Sequence, residues 1–352
     1  MSSTAPARAA ATRSRSSYLD ILNDAWAQHT APRAADAPTV ISTFAGCGGS
    51  SLGYSMAGFR ELLAVEWDQN AVDTFRLNFP DVLVYHGDIA ALSVEDCLAR
   101  TGLQPGELDV FDGSPPCQGF STAGKRMMDD PRNQLFREYV RLLRGLRPKV
   151  FVMENVSGMV KGKMKLIFAD ILRELKASGY KVSARLMNAM YFNVPQSRER
   201  MIFIGVREDL AVEPSHPRGQ AAPYVTRDAL NGLIDSLVDR VNLARESKTS
   251  QQMLVVRPGA RCGLHHSHHR LAWNTTAPTI DRGGGAGAYH IWHPSEHRPI
   301  RVAEVKRIAS FPDGYVFAGS VSDAFTRIGN SVPPLFMRSI AQHIRQQILG
   351  AL

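Results

Sequence analysis

The sequence has no long apolar run, and this absence limits the kinds of protein it can encode. No stretch of its 352 residues approaches the roughly 18 apolar residues of a membrane span, and its first residues do not resemble a secretory signal peptide. Hydrophobic residues make up 44% and charged residues 21%, as is typical of globular proteins. We therefore expect a cytoplasmic protein with one large domain and a smaller one.

Cysteine is scarce and its spacing is not that of a metal site. The four cysteines, Cys47, Cys97, Cys117 and Cys262, include no C-x-x-C pair. Neither a zinc site nor a disulfide framework is therefore expected. Four histidines fall within His265–His269, but no cysteine or acid pattern accompanies them, so we interpret this run as a polar loop. We predict that the protein needs no metal.

Acidic residues are fewer than basic ones. The chain has 33 Asp and Glu against 41 Lys and Arg, which gives a formal net charge of +8. Residues 1–38 hold only four Arg and three Asp, so the excess charge belongs to the folded body. A basic body favours a polyanionic partner such as nucleic acid, although many basic proteins bind none.

Short apolar segments alternate with helix-compatible segments from Thr39 to about residue 210. This alternation predicts an α/β sheet with helices on its faces. The last two predicted strands are expected to form a hairpin-like pair at the sheet edge. The predicted strands are Val40–Phe44, Leu62–Trp67, Val82–His86, Leu108–Phe111, Val150–Met153, Val182–Met187 and Met201–Val206.

The composition changes on either side of this alternating region. Residues 1–38, rich in Ala, Ser, Arg and Pro, are predicted to be a flexible extension. Residues 213–327 are rich in Pro, Gly, His and Arg, and this composition predicts a second, smaller, irregular domain. The larger domain then comprises residues 39–212 and is completed by residues 328–352. The helices predicted outside it are Tyr18–Gln28 and Thr226–Ala244.

The ends of the first three strands have the residues of a nucleoside site. Glycines in Ala45–Gly53 follow the first strand directly, where the backbone can approach a ligand at the next helix N-terminus. Glu66 comes about twenty residues later, where nucleotide-binding sheets place the acid that holds ribose hydroxyls. Trp67 offers a face for a purine, and the third strand leads to Asp88. We predict a nucleoside cofactor; the alternative is that these are ordinary strand ends.

A cysteine follows the fourth predicted strand, within Asp112-Gly-Ser-Pro-Pro-Cys-Gln-Gly-Phe-Ser121. Pro115 and Pro116 stiffen the turn before Cys117. An unperturbed thiol has a pKa near ~8.5 and is only a few per cent thiolate at neutral pH. A nucleophilic Cys117 would therefore need a cation nearby; the alternative is a buried structural cysteine.

Several motifs occur together and in a fixed order. The string Pro115-Pro-Cys-Gln118, followed by Glu154-Asn-Val156 and Gln196-Ser-Arg-Glu-Arg200, resembles the cytosine-5 DNA methyltransferases. The resemblance implies a Rossmann-like, S-adenosylmethionine-dependent sheet, with residues 213–327 as the target-recognition domain. A small departure is Ser42, at a position that is often acidic in the family. The further matches are Phe44–Gly49, Glu66-Trp67, Gly87–Ile89, Arg298–Pro312 and Gly329–Val332.

The resemblance also implies a mechanism and assigns residues to it. Cys117 would bond to carbon 6 of a flipped-out cytosine, and Glu154 would give a proton to ring nitrogen 3, which calls for a raised pKa. Asn155 would brace the loop. Arg200 would hold the cytosine carbonyl oxygen, and Arg198 the Cys117 loop or a phosphate.

The remaining residues implied by the resemblance bind the methyl donor or the DNA. The expected S-adenosylmethionine contacts are Phe44, Cys47, Gly49, Glu66, Trp67, Asp88, Ile89, Leu135, Asn330 and Ser331. The expected DNA contacts are Gln118 and Ser121 near the cysteine and Arg257, Arg261, Arg270 and Arg282 in the recognition domain, where arginine can pair with guanine.

These residues predict a bacterial DNA (cytosine-5) methyltransferase, either the modification enzyme of a restriction–modification system or an orphan. Its partner would be double-stranded DNA, with no membrane, a monomeric state and any cognate restriction endonuclease acting separately. Three alternatives remain at this point: an RNA cytosine methyltransferase, a nicotinamide dehydrogenase that uses the glycine loop, and a non-catalytic DNA-binding module.

Overall fold

A seven-stranded sheet forms the centre of the larger domain. The computed structural model describes residues 16–116, 134–160, 164–233, 248–263, 268–281 and 290–352. Strand β7 is antiparallel to both of its neighbours, β5 and β6, and the other neighbouring pairs are parallel. The predicted α/β fold and the predicted edge pair are thus confirmed. The spatial order is β3 (Leu83–His86), β2 (Arg60–Glu66), β1 (Thr39–Thr43), β4 (Val110–Gly113), β5 (Val150–Val156), β7 (Glu199–Arg207) and β6 (Tyr180–Asn188).

Helices cover both faces of this sheet, and shorter elements follow it in the chain. None of the helices in the described part of the chain is long and apolar enough to cross a membrane. A two-stranded sheet pairs β8 (His269–Arg270) with β9 (Ile291–Trp292). The helices are α1 (Tyr18–Thr30), α2 (Gly49–Met56), α3 (Gln69–Asn78), α4 (Val94–Thr101), α5 (Gln134–Leu146), α6 (Met164–Lys176), α7 (Thr226–Leu230), α8 (Lys248–Met253), α9 (Val302–Ile308), α10 (Val321–Asn330) and α11 (Pro334–His343).

The central strands β1, β4, β5 and β7 are buried on both faces, which explains their continuous apolar runs. Side chains alternate along each strand, so neighbouring residues enter different cores. Val40, Val152 and Ile204 pack in the core with α2, α3 and α11. Ile41 and Phe111 pack in the core with α4, α5 and α6. The loops at the carboxyl edge are therefore carried by a rigid, two-sided layer.

Helices α2 and α11 touch through a glycine. A Cβ atom at Gly53 would lie only 2.5 Å from Met337 Cβ and 2.7 Å from Arg338 N, so no larger residue fits there without displacement. This close approach brings the start of α2 beside the chain that precedes α11. Residues of the glycine loop and the Gly329–Val332 motif thereby become neighbours.

The N-terminal segment is built into the body where the structure describes it. Tyr18, Leu22 and Ala25 of α1 are buried, and the Tyr18 hydroxyl donates a hydrogen bond to the Arg307 carbonyl. The Arg33 guanidinium, just beyond α1, donates to the carbonyls of Phe59, Ser55 and His29. The short predicted helix is confirmed, and both α1 and Arg33 pack against the folded body.

The helix predicted for Thr226–Ala244 does not run unbroken from its start, and residues 234–244 lie outside the described residues. Helix α7 begins at Thr226 but ends at Leu230, and its C-cap residue Asn231 has an extended backbone. The carbonyls of Ala229 and Asn231 accept hydrogen bonds from the Arg307 guanidinium. Bonds from a distant part of the chain therefore satisfy this helix end, and local helix propensity could not reveal them.

Candidate active site

Two of the motif-bearing loops leave the sheet at the same place. β1 pairs with β2 on one side and β4 on the other, so the strand order reverses between β1 and β4. In open α/β sheets the crevice at such a reversal, at the carboxyl ends of the strands, binds the ligand. The glycine loop follows β1, and the Pro115-Pro116 turn follows β4. Gly46 and Gly48 both have positive φ, 56° and 89°, which explains why this loop needs glycine.

The Glu66 side chain is held at the end of β2 by backbone amides. Its Oε2 accepts from Gly46 N at 2.7 Å, and its Oε1 accepts from Trp67 N and Asp68 N at 2.9 Å each. A carboxylate has about four acceptor positions, so one position on Oε2 remains for a ligand. The Trp67 side chain next to it is 77% exposed, which leaves its face free for stacking.

The other predicted adenosine contacts lie around the same edge. Asp88 caps the turn at Ile89–Ala91 by accepting from Ala90 N at 2.9 Å through Oδ1. The Ile89 side chain is buried, whereas Phe44 and Leu135 pack at the margin of the core that contains α5. Phe44 has a φ of 54°, a strained value for a non-glycine residue. The chain thus turns sharply where β1 leads into the glycine loop.

Cys47, Gly49 and Ser331 meet where α2 approaches α11. Cys47 Sγ lies 3.0 Å from Ser331 Oγ, and a Cβ at Gly49 would be 2.5 Å from the Val332 carbonyl oxygen. Burial raises the pKa of the Cys47 thiol to about 11, although the Ser331 hydroxyl opposes this. Cys47 therefore stays a thiol at neutral pH and is not a nucleophile. Asn330 beside this cluster is exposed.

An acid and an arginine form an ion pair at the carboxyl end of β5. Arg200 Nε lies 2.6 Å from Glu154 Oε1, and the two side chains are only 13% and 10% exposed. The antiparallel register aligns Val156 with Arg200, which brings the start of β7 beside the end of β5. Asn155 Nδ2 donates to the Pro115 carbonyl at 3.1 Å. The predicted brace between Asn155 and the cysteine loop is confirmed.

Arg198 makes two contacts that were not predicted, and the Cys117 loop, one of its two predicted contacts, lies outside the described residues. Its Nη1 donates to the Ile280 carbonyl and its Nη2 to the Gly329 carbonyl, each at 2.8 Å. The residue is 3% exposed, so its guanidinium cannot reach a DNA phosphate. Burial lowers its pKa to about 9, which still leaves it charged at neutral pH. Arg198 thus fastens the segment at Ile280 to the motif that begins at Gly329, and both terminal nitrogens are bound outside the Cys117 loop.

Gln196, two residues before Arg198, binds the same segment near Ile280. Its Oε1 accepts from Ile280 N at 3.1 Å, and the backbone at Gln196 pairs with Ala277. Ser197 N donates to the Ala277 carbonyl at 2.8 Å. The chain just before β7 therefore anchors residues 277–280 to the catalytic sheet.

Arg270 is not available for DNA, contrary to prediction. It is 6% exposed, and its guanidinium donates to four backbone carbonyls, at 2.7–2.9 Å. These carbonyls belong to Met253, Val256, His293 and Glu296. The predicted DNA contact is wrong because the side chain ties α8 to the chain after β9. Arg257 and Arg261, by contrast, are exposed.

Four predicted site residues lie outside the described residues: Cys117, Gln118, Ser121 and Arg282. Part of the histidine run, residues 265–267, also lies outside them. Within the ranges that the structure describes, no three His, Cys, Asp or Glu side chains converge as a metal site requires.

Sequence reasoning missed a row of polar side chains on one face of the sheet. Strand register aligns Ser42 of β1 with Asp112 of β4, and Val40, two residues earlier, with Glu61 of β2. The Glu61 Oε2 atom is enclosed, and its Oε1 accepts from Ser51 Oγ at 2.9 Å. One signal in the sequence could have revealed this row: Asp112 directly follows the apolar residues Val110 and Phe111 of a predicted strand, where a side chain is normally buried.

Replacing Glu61 with glutamine is expected to change how stability depends on pH. Burial raises the pKa of Glu61 from 4.5 to about 7, against the opposing hydroxyls of Ser42 and Ser51. Between these values the native state retains a proton that the unfolded chain has lost, so this residue makes stability fall as pH rises. Above pH ~7 the wild type loses up to about 3 kcal/mol of unfolding free energy in this way, and the Glu61→Gln protein does not.

Urea unfolding between about pH 5 and 8 measures the difference in the free energy of unfolding between Glu61→Gln and the wild type. Burial lowers the pKa of His29, His216 and His269 to about 4, so these residues lower stability as pH falls below their ordinary value of 6.5. Their contribution is common to both proteins and cancels in the difference between variant and wild type. A difference that does not grow with pH would mean that Glu61 ionises normally.

The chain belongs to the C-5 cytosine-specific DNA methylase family, whose model matches residues 38–346. It is a DNA (cytosine-5) methyltransferase, and transfer of a methyl group from S-adenosylmethionine to carbon 5 of cytosine is the activity of this family.

Its relatives include bacterial Type II methyltransferases. The chain is 34% identical to M1.HphI of Haemophilus parahaemolyticus, with 87% of this chain and 86% of the relative covered. It is 33% identical to M.NgoPII of Neisseria gonorrhoeae, with 91% and 99% covered.

Solved structures have the same fold. A DNA modification methyltransferase of an Escherichia coli prophage superposes with a TM-score of 0.75 at 27% identity, covering 89% of this chain and 100% of that one. The Schizosaccharomyces pombe Dnmt2 methyltransferase superposes at 0.64 with 19% identity, covering 89% and 99%, which is a likeness of fold alone.

Proposed function

We propose that this protein methylates a flipped-out cytosine in a specific duplex sequence through a transient bond from Cys117 to carbon 6 of the base. The observation that carries the proposal is the Glu154–Arg200 ion pair of 2.6 Å at the end of β5. Asn155, the next residue, is bonded to the Pro115 carbonyl two residues before Cys117. The proposed acid, the arginine and the cysteine loop therefore belong to one edge of the sheet.

The nucleophile makes carbon 5 reactive. Carbon 5 of cytosine is too electron-poor to accept a methyl group unaided. When the Cys117 thiolate bonds to carbon 6, electron density moves toward ring nitrogen 3 and carbon 5 becomes nucleophilic. Once carbon 5 is methylated, water takes up its proton, the thiolate leaves carbon 6, and nitrogen 3 returns its proton to Glu154, which restores the ring and frees Cys117.

Glu154 and Arg200 are proposed to bind the base directly. When the ion pair opens, Glu154 takes up a proton from solvent and gives it to nitrogen 3 as the thiolate attacks, while Arg200 holds the carbonyl oxygen at carbon 2. Their ion pair keeps both side chains at one point before the base arrives, and both are nearly buried. An electrostatic contact in such a water-poor site is stronger than in solvent. We expect the pair to open when the base enters.

The residues of the glycine loop fit S-adenosylmethionine, which supplies an electrophilic methyl group when bound. Glu66 retains an acceptor position for a ribose hydroxyl. Trp67 and Phe44 are proposed to flank the adenine, since the Trp67 side chain is 77% exposed. Asp88 is proposed to bind the exocyclic amine through the oxygen that does not cap its turn. The other proposed contacts are Cys47, Gly49, Ile89, Leu135, Asn330 and Ser331. No step in this proposal calls for a metal.

DNA recognition is proposed to lie in residues 213–327. A thiolate cannot reach carbon 6 inside a base stack, so the cytosine must flip out, at a cost of a few kcal/mol. The exposed Arg257 and Arg261 support the proposed DNA contacts, and such contacts make affinity strongly dependent on salt. Since its relatives are bacterial Type II methyltransferases, we propose a monomer that acts on the nucleoid in the cytoplasm, with any cognate endonuclease acting separately.

Methyl incorporation tests the proposal. With tritiated S-adenosylmethionine, label is expected in duplex DNA and not in transfer RNA, and bisulfite sequencing should locate it in one sequence context. The Cys117→Ser protein serves as the matched control and should give no label. Label in transfer RNA alone would contradict the proposal and favour the RNA-modifying alternative.

A further inference from the structure

Asp112 is a buried acid that the mechanism above does not use. It is 3% exposed, although it lies on β4 only five residues before Cys117. Tyr54 of α2 donates its hydroxyl to Asp112 Oδ1 at 3.2 Å, and the Ser50 hydroxyl in the first turn of α2 acts on the same carboxyl by lowering its pKa. The acid therefore joins the strand that carries the cysteine loop to the helix that follows the glycine loop.

Its surroundings favour the neutral carboxylic acid. Burial raises the pKa of Asp112 well above its ordinary value, the Tyr54 hydrogen bond lowers it, and the nearby Glu61 and Glu154 carboxyls raise it further. Burial, and to a lesser degree the Asp112 carboxyl, raises the pKa of Tyr139 of α5. A neutral acid can both donate and accept, so it can join hydroxyls from two turns of α2.

The strand end around Asp112 is fixed on its other sides. Thr43 Oγ1 donates to the Asp112 carbonyl at 3.1 Å. A Cβ at Gly113 would lie 2.4 Å from Thr43 Oγ1 and 2.7 Å from Tyr139 Cε2, so the backbone is closely enclosed. A displacement of Asp112 relative to α2 would therefore move either the cysteine loop or the first turn of α2.

We propose that Asp112, through Tyr54 and Ser50, is a positioning residue that sets the distance between the methyl-donor loop at the start of α2 and the nucleophile loop after β4. The expected effect of Asp112 on kcat rests on the proposed function, whereas its expected effect on donor binding does not. Its effect on the start of α2 should appear in donor binding even without DNA.

The chain offers variants that separate polarity from shape. Asp112→Asn replaces the neutral acid with a group that also donates and accepts, whereas Asp112→Leu has similar size and no polar atoms. Tyr54→Phe removes only the hydroxyl. Tyr180→Phe is the matched control, because Tyr180 is equally buried but donates to the Pro148 carbonyl, away from α2.

The experiment measures three quantities on each full-length variant: the Kd for S-adenosylmethionine by calorimetry, kcat and KM on duplex DNA, and the pH profile of kcat. We expect Asp112→Leu to raise Kd and lower kcat by about tenfold each, and Tyr54→Phe by about threefold each, with KM for DNA unchanged. Asp112→Asn should restore both values. Its pH profile should superimpose on that of the wild type, because the raised pKa of Asp112 favours the neutral acid.

Several outcomes would overturn the proposal. An Asp112→Leu protein that is folded, with unchanged Kd and kcat, would mean that the acid positions nothing. If that variant does not fold, Tyr54→Phe decides, and a result no different from Tyr180→Phe contradicts the proposal. A shifted pH profile for Asp112→Asn would mean that the acid ionises. A wild type that binds the donor but methylates no DNA would instead contradict the proposed function.

Discussion

The Glu154→Gln protein should bind DNA and S-adenosylmethionine normally while its kcat falls by about 10²–10⁴-fold, the range for loss of a positioned general acid. Glutamine has the shape of glutamate and can still accept a hydrogen bond from Arg200, so the ion-pair site stays filled. It cannot give up an acidic proton to ring nitrogen 3. Single-turnover kinetics with saturating donor and duplex substrate measures the chemical step directly.

Two further variants make this test specific. Glu154→Ala leaves Arg200 buried at 13% exposure without its partner, so it should also lower stability, by about 3–5 kcal/mol. Glu199→Gln removes an exposed carboxylate next to Arg200 and should leave kcat unchanged. If Glu154→Gln kept wild-type kcat, Glu154 would not be the proton donor, whatever its ion pair contributes to stability.

Arg270→Ala should lose sequence-specific DNA binding because the region that carries it unfolds. The guanidinium donates to four carbonyls within a buried site, and truncation leaves those carbonyls unpaired. A loss of about 3–5 kcal/mol is expected, as for removal of one partner from a buried charged group. Donor binding should survive, because the glycine loop follows β1 of the seven-stranded sheet, whereas Arg270 lies in the separate two-stranded sheet. Limited proteolysis together with calorimetry distinguishes the two regions.

Arg257→Ala is the matched control for this prediction. Arg257 is exposed, so its loss should weaken DNA binding by about tenfold or more without changing stability or the protease pattern. Arg270→Lys should resemble Arg270→Ala, because one ammonium cannot reach carbonyls on both sides of the site as a planar guanidinium does. A stable Arg270→Ala protein with selectively reduced DNA affinity would restore the original prediction of a DNA contact.

The centre of the sheet was predictable because strands β1, β4, β5 and β7 are buried on both faces. Continuous apolar runs such as Val150–Met153 and Met201–Val206 leave few alternatives to a strand, and both are strands in the structure. Element ends were less predictable. β6 extends from Tyr180 to Asn188, beyond its apolar run, because pairing with β7 continues past the residues that favour a strand.

The candidate site was only partly predictable, since motif spacing locates residues but not their partners. Asn155 was correctly predicted to brace the cysteine loop. Arg198 and Arg270 were assigned to loops or DNA from their residue type, yet their guanidinium groups bind backbone carbonyls. Distant carbonyls of this kind carry no signal in the sequence. The same holds for Asp112, whose partners Tyr54 and Ser50 lie about sixty residues earlier in the chain.

The central claim is a bond between the sulfur of Cys117 and an extruded cytosine, and trapping that bond is its most direct test. A duplex with 5-fluorocytosine at the methylated position blocks the final step, because fluorine cannot leave as the carbon 5 proton does. With donor present, mass spectrometry should find the DNA attached to the peptide that contains Cys117, and Cys117→Ser should abolish the adduct. No adduct from an active wild-type enzyme, or one at another residue, would contradict the mechanism.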